Sequence, residues 1–294
     1  MSGFCQLCGR RIPRDSVLYR HPRWAEGKYL RVCSECDRKK PRCARCAIPI
    51  QAASSGELCV TCQASAPRCL TCGRAIAGRY YEINDKGPYC ADCHHNRPIC
   101  DTCGAPLGDA QWRLSDGRIA CGDCHATAIY EQPAAVQEYE HITNRVCGLL
   151  GLSLNIATPV VLVDRNQLAD VASQQNLPEA ASLDRMLGLY ARLGMRRGIY
   201  MQTGLPRSLF IQVAAHEYAH AWQGENCPLL NDPLVREGFA EWVAYKTLEH
   251  YGLEKQRARM LQRADLYGEG LKWAAAVEKA GGAPAVIAAC RAAR

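Results

Sequence analysis

Val213-Ala-Ala-His-Glu-Tyr-Ala-His-Ala-Trp222 holds an H-E-x-x-H pattern, His216-Glu217-Tyr218-Ala219-His220. On a helix, positions i and i+4 lie on one face, one turn apart, so both imidazoles can reach one metal ion. Glu217 falls about 100° round from His216. It is close enough to touch a water at that ion without being a ligand. Phe210, Ile211, Val213, Ala214, Ala215, Ala219, Ala221 and Trp222 predict a buried helix, and Pro206 and Ser208 suit its start. A zinc ion held this way needs a third protein ligand and an open fourth position. Glu237 is the candidate, with sixteen residues between it and His220, in a second predicted helix, Pro233-Leu-Val-Arg-Glu-Gly-Phe-Ala-Glu-Trp-Val-Ala-Tyr245. Glu241 lies one turn later on the same face, where it can accept the free ring N–H of His216 or His220. The bland alternative is a surface helix with incidental histidines, and it fits poorly with such apolar flanks.

Upstream, the chain is organised by cysteine. Sixteen of its nineteen cysteines form eight C-x-x-C pairs: Cys5/Cys8, Cys33/Cys36, Cys43/Cys46, Cys59/Cys62, Cys69/Cys72, Cys90/Cys93, Cys100/Cys103 and Cys121/Cys124. The spacers alternate. They are 24, 12, 17 and 17 residues within a module, and always six between modules. That constancy predicts four repeats. Two pairs make one tetrahedral four-thiolate site, so four structural zinc ions are expected. Such spacing argues for metal in a reducing compartment rather than for disulfides. Pro67-Arg-Cys-Leu-Thr-Cys-Gly73 parallels Pro98-Ile-Cys-Asp-Thr-Cys-Gly104, and Arg79-Tyr-Tyr-Glu-Ile83 reads as a strand of the excursion. His94 and His125 are the histidines placed to replace a neighbouring cysteine, although four thiolates are already available in each case. Cys147, Cys227 and Cys290 have no C-x-x-C partner and read as buried thiols.

Charge narrows the choice of partners. Residues 1–128 carry 19 Lys and Arg against 12 Asp and Glu, and the remainder carries 17 against 17. Sixteen thiolates around four divalent ions cancel the basic excess. A nucleic-acid surface is therefore not favoured, and only Arg38-Lys-Lys-Pro-Arg42 remains a local basic cluster. Protein docking, or spacing and shielding of the catalytic part, is the expected role of the modules. No run is apolar enough to cross a bilayer, and the first residues lack a signal-peptide core. A cytoplasmic location is expected.

After the last pair, residues 126–150 read as a long helix broken near Pro133, with Val136, Tyr139, Ile142, Val146 and Leu149/Leu150 at helical spacing. His141 reads as polar surface. Thr158–Asp164 is a predicted strand, and residues 166–175 a short helix. Met195–Gly204 contains another strand, either edging the cleft beside the histidine helix or lying in the core. The C-terminus from Leu253 reads as helical, with a break at Gly281-Gly282.

H-E-x-x-H, a Glu on the following helix and an acid four residues on are similar to the gluzincin pattern of zinc peptidases. Gly204-Leu-Pro-Arg207, Ala215-His-Glu-x-x-His-Ala-Trp222 and Glu237-Gly238 occur in that order. Together with the modules before them, they resemble the ubiquitin-activated LIM peptidases of plants over roughly residues 67–250. The resemblance implies His216, His220 and Glu237 as ligands of one catalytic zinc and Glu217 as catalytic base. The modules look like halves of LIM domains, but six residues join them where a LIM domain has two. Residues 1–66 hold further cysteine pairs instead of ubiquitin-interacting motifs, and Glu241 stands where that family is expected to have Gln. Ubiquitin dependence is not carried over.

The expected fold class is α+β: a zincin-like, mainly helical peptidase domain with a small sheet (127–294), preceded by four small four-cysteine zinc-ribbon or LIM-like modules (1–66 and 67–126). The expected activity is hydrolysis of peptide bonds in protein or peptide substrates. Tyr245, His250, Tyr251 and Tyr267 are the candidate donors to the oxyanion. The competing reading is a latent or inactive peptidase-like adaptor whose modules bind other proteins.

Overall fold

A computed structural model describes residues 3–12, 16–51, 58–175, 186–193 and 196–294. The chain forms two compact units, Met1–Ile99 with Ala105–Gly108, and Cys100–Gly104 with Asp109–Arg294. The units therefore part at a different place from the sequence boundaries at 66/67 and 126/127. The fourth cysteine set, Cys100, Cys103, Cys121 and Cys124, belongs with the C-terminal unit.

The first unit is built of hairpins and single-turn helices. Strands β1 (Gly3–Phe4) and β2 (Arg11–Ile12) pair antiparallel, as do β3 (Val17–Tyr19) and β4 (Leu30–Val32), ahead of helix α1 (Ser34–Lys39). Helix α2 (Val60–Ser65) closes the second module. Antiparallel β5 (Tyr81–Ile83) and β6 (Lys86–Tyr89) lead to α3 (Ala91–Asn96) in the third. Each closing C-x-x-C starts its helix the same way: the Cys33, Cys59 and Cys90 side chains accept from the N–H groups of Cys36, Cys62 and Cys93. Each opening C-x-x-C ends in a tight turn. Gly9, Ala47, Gly73 and Gly104 all adopt positive φ (72°, 58°, 70° and 71°) and donate N–H to the carbonyl of Cys5, Cys43, Cys69 and Cys100 at 2.8 Å. Glycine suits that conformation, and Ala47 accepts the steric cost of a Cβ there.

In the second unit the hairpin β7 (Gln111–Arg113) and β8 (Ile119–Cys121) precedes α4 (Gly122–Ala126). Strand β9 (Ala128–Ile129) follows, then α5 (Gln132–Leu150), β10 (Val160–Val163) and α6 (Arg165–Gln174). Next come β11 (Gly188–Leu193), β12 (Arg196–Gln202) and β13 (Leu205–Pro206). The chain ends in α7 (Arg207–Asn226), α8 (Pro233–His250), α9 (Glu254–Gln262) and α10 (Leu266–Ala292). The expected break near Pro133 is the start of α5, where proline in the first turn costs no hydrogen bond. Asp164 caps α6 in a reciprocal box with Gln167. Helix α10 is interrupted at Gly282, φ 73°. Among the described residues no helix is long and apolar enough to cross a membrane.

Three strands form a sheet in the order β10-β12-β11, with β10 parallel and β11 antiparallel to β12. The strand expected within Met195–Gly204 is thus a central core strand. Its expected first residue, Met195, lies outside the described residues. The edges are β10 and β11, and β11, a strand that the residue pattern did not reveal, is the edge whose Tyr190 N–H meets Glu217 of α7.

The fourth cysteine module is tied into this unit. Arg118, paired with Asp116 at 2.9 Å, donates to the Thr203 carbonyl at 2.7 Å, and Asp116 accepts the Arg165 N–H. Strand β9 pairs with β13 at the entry to α7.

Tyr139, Ile142, Val146, Ile199, Phe210, Trp222, Phe239, Trp242 and Leu271 share one buried core. Trp222 stacks on Phe239 with ring centroids 5.2 Å apart, joining α7 to α8. Helices α8 and α10 cross backbone to backbone. A Cβ at Gly238 would lie 2.5 Å from the Gly270 carbonyl oxygen, and one at Gly270 would lie 2.6 Å from Gly238 Cα. This crossing fixes the rotation of α8 next to Glu237. Gly238→Ala is expected to destabilise the chain by about 1–3 kcal/mol through overpacking, read as a lowered urea midpoint. An unchanged midpoint would show that the crossing is not tight.

Candidate metal centre

Helix α7 presents His216 and His220 from successive turns, and α8 brings Glu237 to them. The Nε2 atoms of the two rings are 3.0 Å apart, and Glu237 Oε2 lies 3.4 and 3.3 Å from them. Ligands about 2.05 Å from a tetrahedral ion are separated by about 3.3 Å, so these three atoms match one face of a tetrahedron. The residues expected from the sequence therefore converge as a group able to hold a metal ion.

A polar side chain stands behind each donor. Glu241 Oε1 lies 3.3 Å from His216 Nδ1, at ion-pair distance without hydrogen-bond alignment. His220 Nδ1 lies 2.8 Å from Gln223 Oε1, while Gln223 Nε2 donates to the Arg236 carbonyl at 2.9 Å. Gln223 was missed in the sequence, although its i+3 spacing from His220 was a usable signal. The Arg236 guanidinium grips the other oxygen of Glu237 at 3.1 Å, leaving Oε2 to face the rings.

Glu217 is buried beside the triangle, and its Oε2 accepts the Tyr190 backbone N–H of edge strand β11 at 2.7 Å. Among the four candidate donors, Tyr267 is the one in ring contact with His216, with centroids 6.0 Å apart, and Arg263 lies over its ring at 4.5 Å. Tyr245 sits under Arg257, and Tyr251 lies under Arg207 and against His250.

The electrostatics show what charge the cluster favours. Burial pushes His216 down, but the carboxylates of Glu237 and Glu241 outweigh it and push the ring up to about 10. Burial pushes Glu237 up, but the two imidazoles hold it well below the ordinary carboxylate range. Two buried carboxylates around two imidazoles recruit a positive charge. A proton supplies it in the free protein and a metal ion can replace it.

The thiol groups are equally well formed. Cys5, Cys8, Cys33 and Cys36 converge, as do Cys69, Cys72, Cys90 and Cys93, and Cys100, Cys103, Cys121 and Cys124. Sulfur pairs across the knuckles are 3.7–3.9 Å apart. Sulfurs about 2.3 Å from a tetrahedral zinc would be separated by about 3.8 Å.

The second module departs from expectation. The group that closes there is His21, Cys46, Cys59 and Cys62, with His21 in the place expected of Cys43. His21 comes from the first module's excursion, and its Nε2 lies 3.2 Å from Cys62 Sγ. Trp24 secures the same loop by donating to Thr61 Oγ1 at 2.8 Å. Cys43 nevertheless remains in the knuckle. Burial pushes its thiol up, but N–H groups of Cys59, Arg45 and Cys46 outweigh it and hold it down to about 6.

The site thus gathers five donors for a four-coordinate ion. His21 Nδ1 accepts the Arg23 N–H at 3.1 Å, which leaves the neutral ring's proton on Nε2, facing Cys62. A ring bound to zinc through Nε2 carries its proton on Nδ1, where the Arg23 N–H now points. This tautomer favours four thiolates on the ion, with His21 donating to one of them. The histidines singled out in the sequence are engaged elsewhere: His94 stacks on Tyr81, and His125 on Trp112.

No protein-family model matches the chain, and no curated protein or solved structure matches it either.

Two outcomes are expected of this chemistry. His21→Ala should retain the zinc of the second module, whereas Cys43→Ser should lose it, as read by metal content of purified full-length protein. The reverse pattern would put His21 on the ion. At the histidine centre, zinc must displace the His216 proton below a pH of about 10. Its affinity should therefore rise with pH, roughly tenfold per unit for each proton displaced. Chelator competition at pH 7 and 8, with the thiolate sites already filled, reads this; a flat profile would contradict it.

Proposed function

We propose that this protein is a zinc-dependent metallopeptidase of gluzincin type, with a zincin-like catalytic domain and four structural zinc modules ahead of its catalytic helices. One observation carries the reading: His216, His220 and Glu237 bring three donor atoms together at metal-binding separations, and Glu217, next to His216 in the chain, is buried with its Oε2 held by the Tyr190 N–H. Zinc, when bound, supplies Lewis acidity for a carbonyl oxygen and for a water.

The chain's own residues would do the rest. Glu217 takes a proton from the attacking water and passes it to the leaving amine. The Tyr190 N–H holds one oxygen of Glu217 and so aims the other. Gln223 fixes the His220 ring through its Nδ1, and Glu241, 3.3 Å from His216 Nδ1, stands where it would accept that ring's N–H on metal binding. Tyr267 is the candidate donor to the developing oxyanion that distance supports, because it alone of the four stands beside His216. Protein or peptide chains are the substrates this chemistry suits. The modules of the first unit would dock a partner or shield the cleft, in a reducing, cytoplasmic setting that keeps their thiolates on metal.

The test is peptide-library cleavage by the wild type beside Glu217→Gln. The variant should keep its zinc and lose about 10²–10⁴-fold in rate. Full residual activity would remove Glu217 from the mechanism. A wild type that holds five zinc ions and cleaves nothing would favour the adaptor.

A further inference from the structure

Two thiols outside every metal-ligand group meet where the histidine helix ends. Cys227 follows the last turn of α7, and Cys290 lies near the end of α10. Their Sγ atoms are 3.7 Å apart, in van der Waals contact, and both residues are buried. Along the chain each reads only as a core thiol. The third thiol without a C-x-x-C partner, Cys147, sits elsewhere, against the Leu152 carbonyl and the Tyr218 hydroxyl.

The surroundings make the pair more than two packed sulfurs. Because α10 breaks at Gly282, the run that carries Cys290 is held to α7 by contacts of its own. Val286 is buried in the core, and Arg291 covers the Trp222 ring at 5.2 Å and reaches Asn226 Oδ1 at 3.4 Å. The two thiols are also unequal. A hydrogen bond from Cys290 lowers the Cys227 thiol against the effect of burial, and Arg291 adds to the lowering. The same bond, together with burial, raises Cys290. A lowered thiol with a second thiol in contact to resolve it is the arrangement of an oxidisable pair, and Cys227, 6% exposed, is the one of the two that solvent reaches.

We propose that Cys227 and Cys290 are a modification site, a dithiol that a peroxide converts to a disulfide clamping the last helical run onto the end of the histidine helix. The Cys227 sulfur attacks one peroxide oxygen, breaks the O–O bond and becomes a sulfenic acid, and the proton of its thiol converts the departing hydroxide to water. Cys290 sulfur then attacks the sulfenic sulfur, loses its proton and expels a second water. Two thiols and one hydrogen peroxide become one disulfide and two waters. A cellular thiol reverses the step by exchange.

The clamp has a route to the metal centre. Gln223 Nε2 contacts Cys290 Sγ at 3.5 Å, and its Oε1 holds His220 Nδ1 at 2.8 Å. Forming the disulfide draws the Cys290 sulfur to about 2.05 Å from its partner and leaves it a poorer acceptor for the Gln223 amide. The side chain that orients His220 loses one of its anchors. This consequence rests on the zinc centre proposed above; the cross-link does not.

The test uses the zinc-loaded full chain, exposed to hydrogen peroxide below the dose that releases zinc, then alkylated and digested without reduction. The expected product is a peptide pair joined through Cys227 and Cys290. It should vanish with dithiothreitol and be absent from Cys290→Ser, while Cys147 is recovered alkylated. Recovery of both cysteines alkylated, or of Cys227 as a sulfinate without the cross-link, would overturn the proposal. Zinc release from the histidine centre to a chelator is measured separately and should be several-fold faster in the cross-linked protein. Equal rates with the cross-link present would overturn the coupling through Gln223. Peptidase activity enters neither readout.

Discussion

Two imidazole nitrogens and a carboxylate oxygen within 3.4 Å of one another, deep in a protein, need a positive charge between them. Much of the C-terminal unit can be read as the means of keeping those atoms together. Helix α7 supplies two of them by its own periodicity. The third needs α8 at one rotation, and the close crossing at Gly238 and Gly270 allows little other. The stack of Trp222 on Phe239 then fixes the spacing between α7 and α8. Gln223 and Arg236 hold His220 and Glu237 by their far sides, and Glu241 faces the far side of His216 at 3.3 Å.

The cysteine modules meet the same requirement with sulfur. Their apolar clusters are very small: Cys5, Ile12, Val32 and Cys36 in one, and Cys43, Ile50, Leu58, Cys62 and Ala66 in the next. Cores of that size cannot offset the entropy of ordering the chain. An ion held by four donors can, at about 10–16 kcal/mol for a structural zinc. Backbone N–H groups from the knuckles point at the first sulfur of each set, as Cys33 N does at Cys5 and Cys90 N at Cys69. These thiolates are therefore stabilised before any ion arrives. The fourth set differs in its neighbours: Arg118 and Asp116 tie its hairpin to the turn that enters α7 and to the start of α6.

Legibility followed the range of each interaction. The H-E-x-x-H rings, the eight cysteine pairs and the Glu237 helix could be read because spacing along a helix or within a knuckle sets them. The break in α10 was visible as Gly281-Gly282, and the apolar stripe of α5 as Tyr139, Ile142 and Val146. Strand β11 was not visible, because Gly188-Leu-Tyr-Ala-Arg-Leu193 is short, holds no β-branched residue, and its Leu, Ala and Arg suit a helix as well as a strand. His21 was not visible as a partner of Cys62 because 41 residues separate them and no spacing rule connects them.

By itself, then, the sequence determined which side chains could gather into metal-holding groups: the paired thiols, the two imidazoles and the acid one helix on. Their spacing is local, and backbone geometry alone puts each pair on one face. Only the tertiary structure decided how they are supported. It put Gln223 between His220 and Cys290, Tyr190 behind Glu217, His21 on a neighbouring module's cysteine, and the fourth cysteine set with the helices. Those contacts join residues far apart in the chain, and burial of the shared core and the close crossing of two helices bring them together.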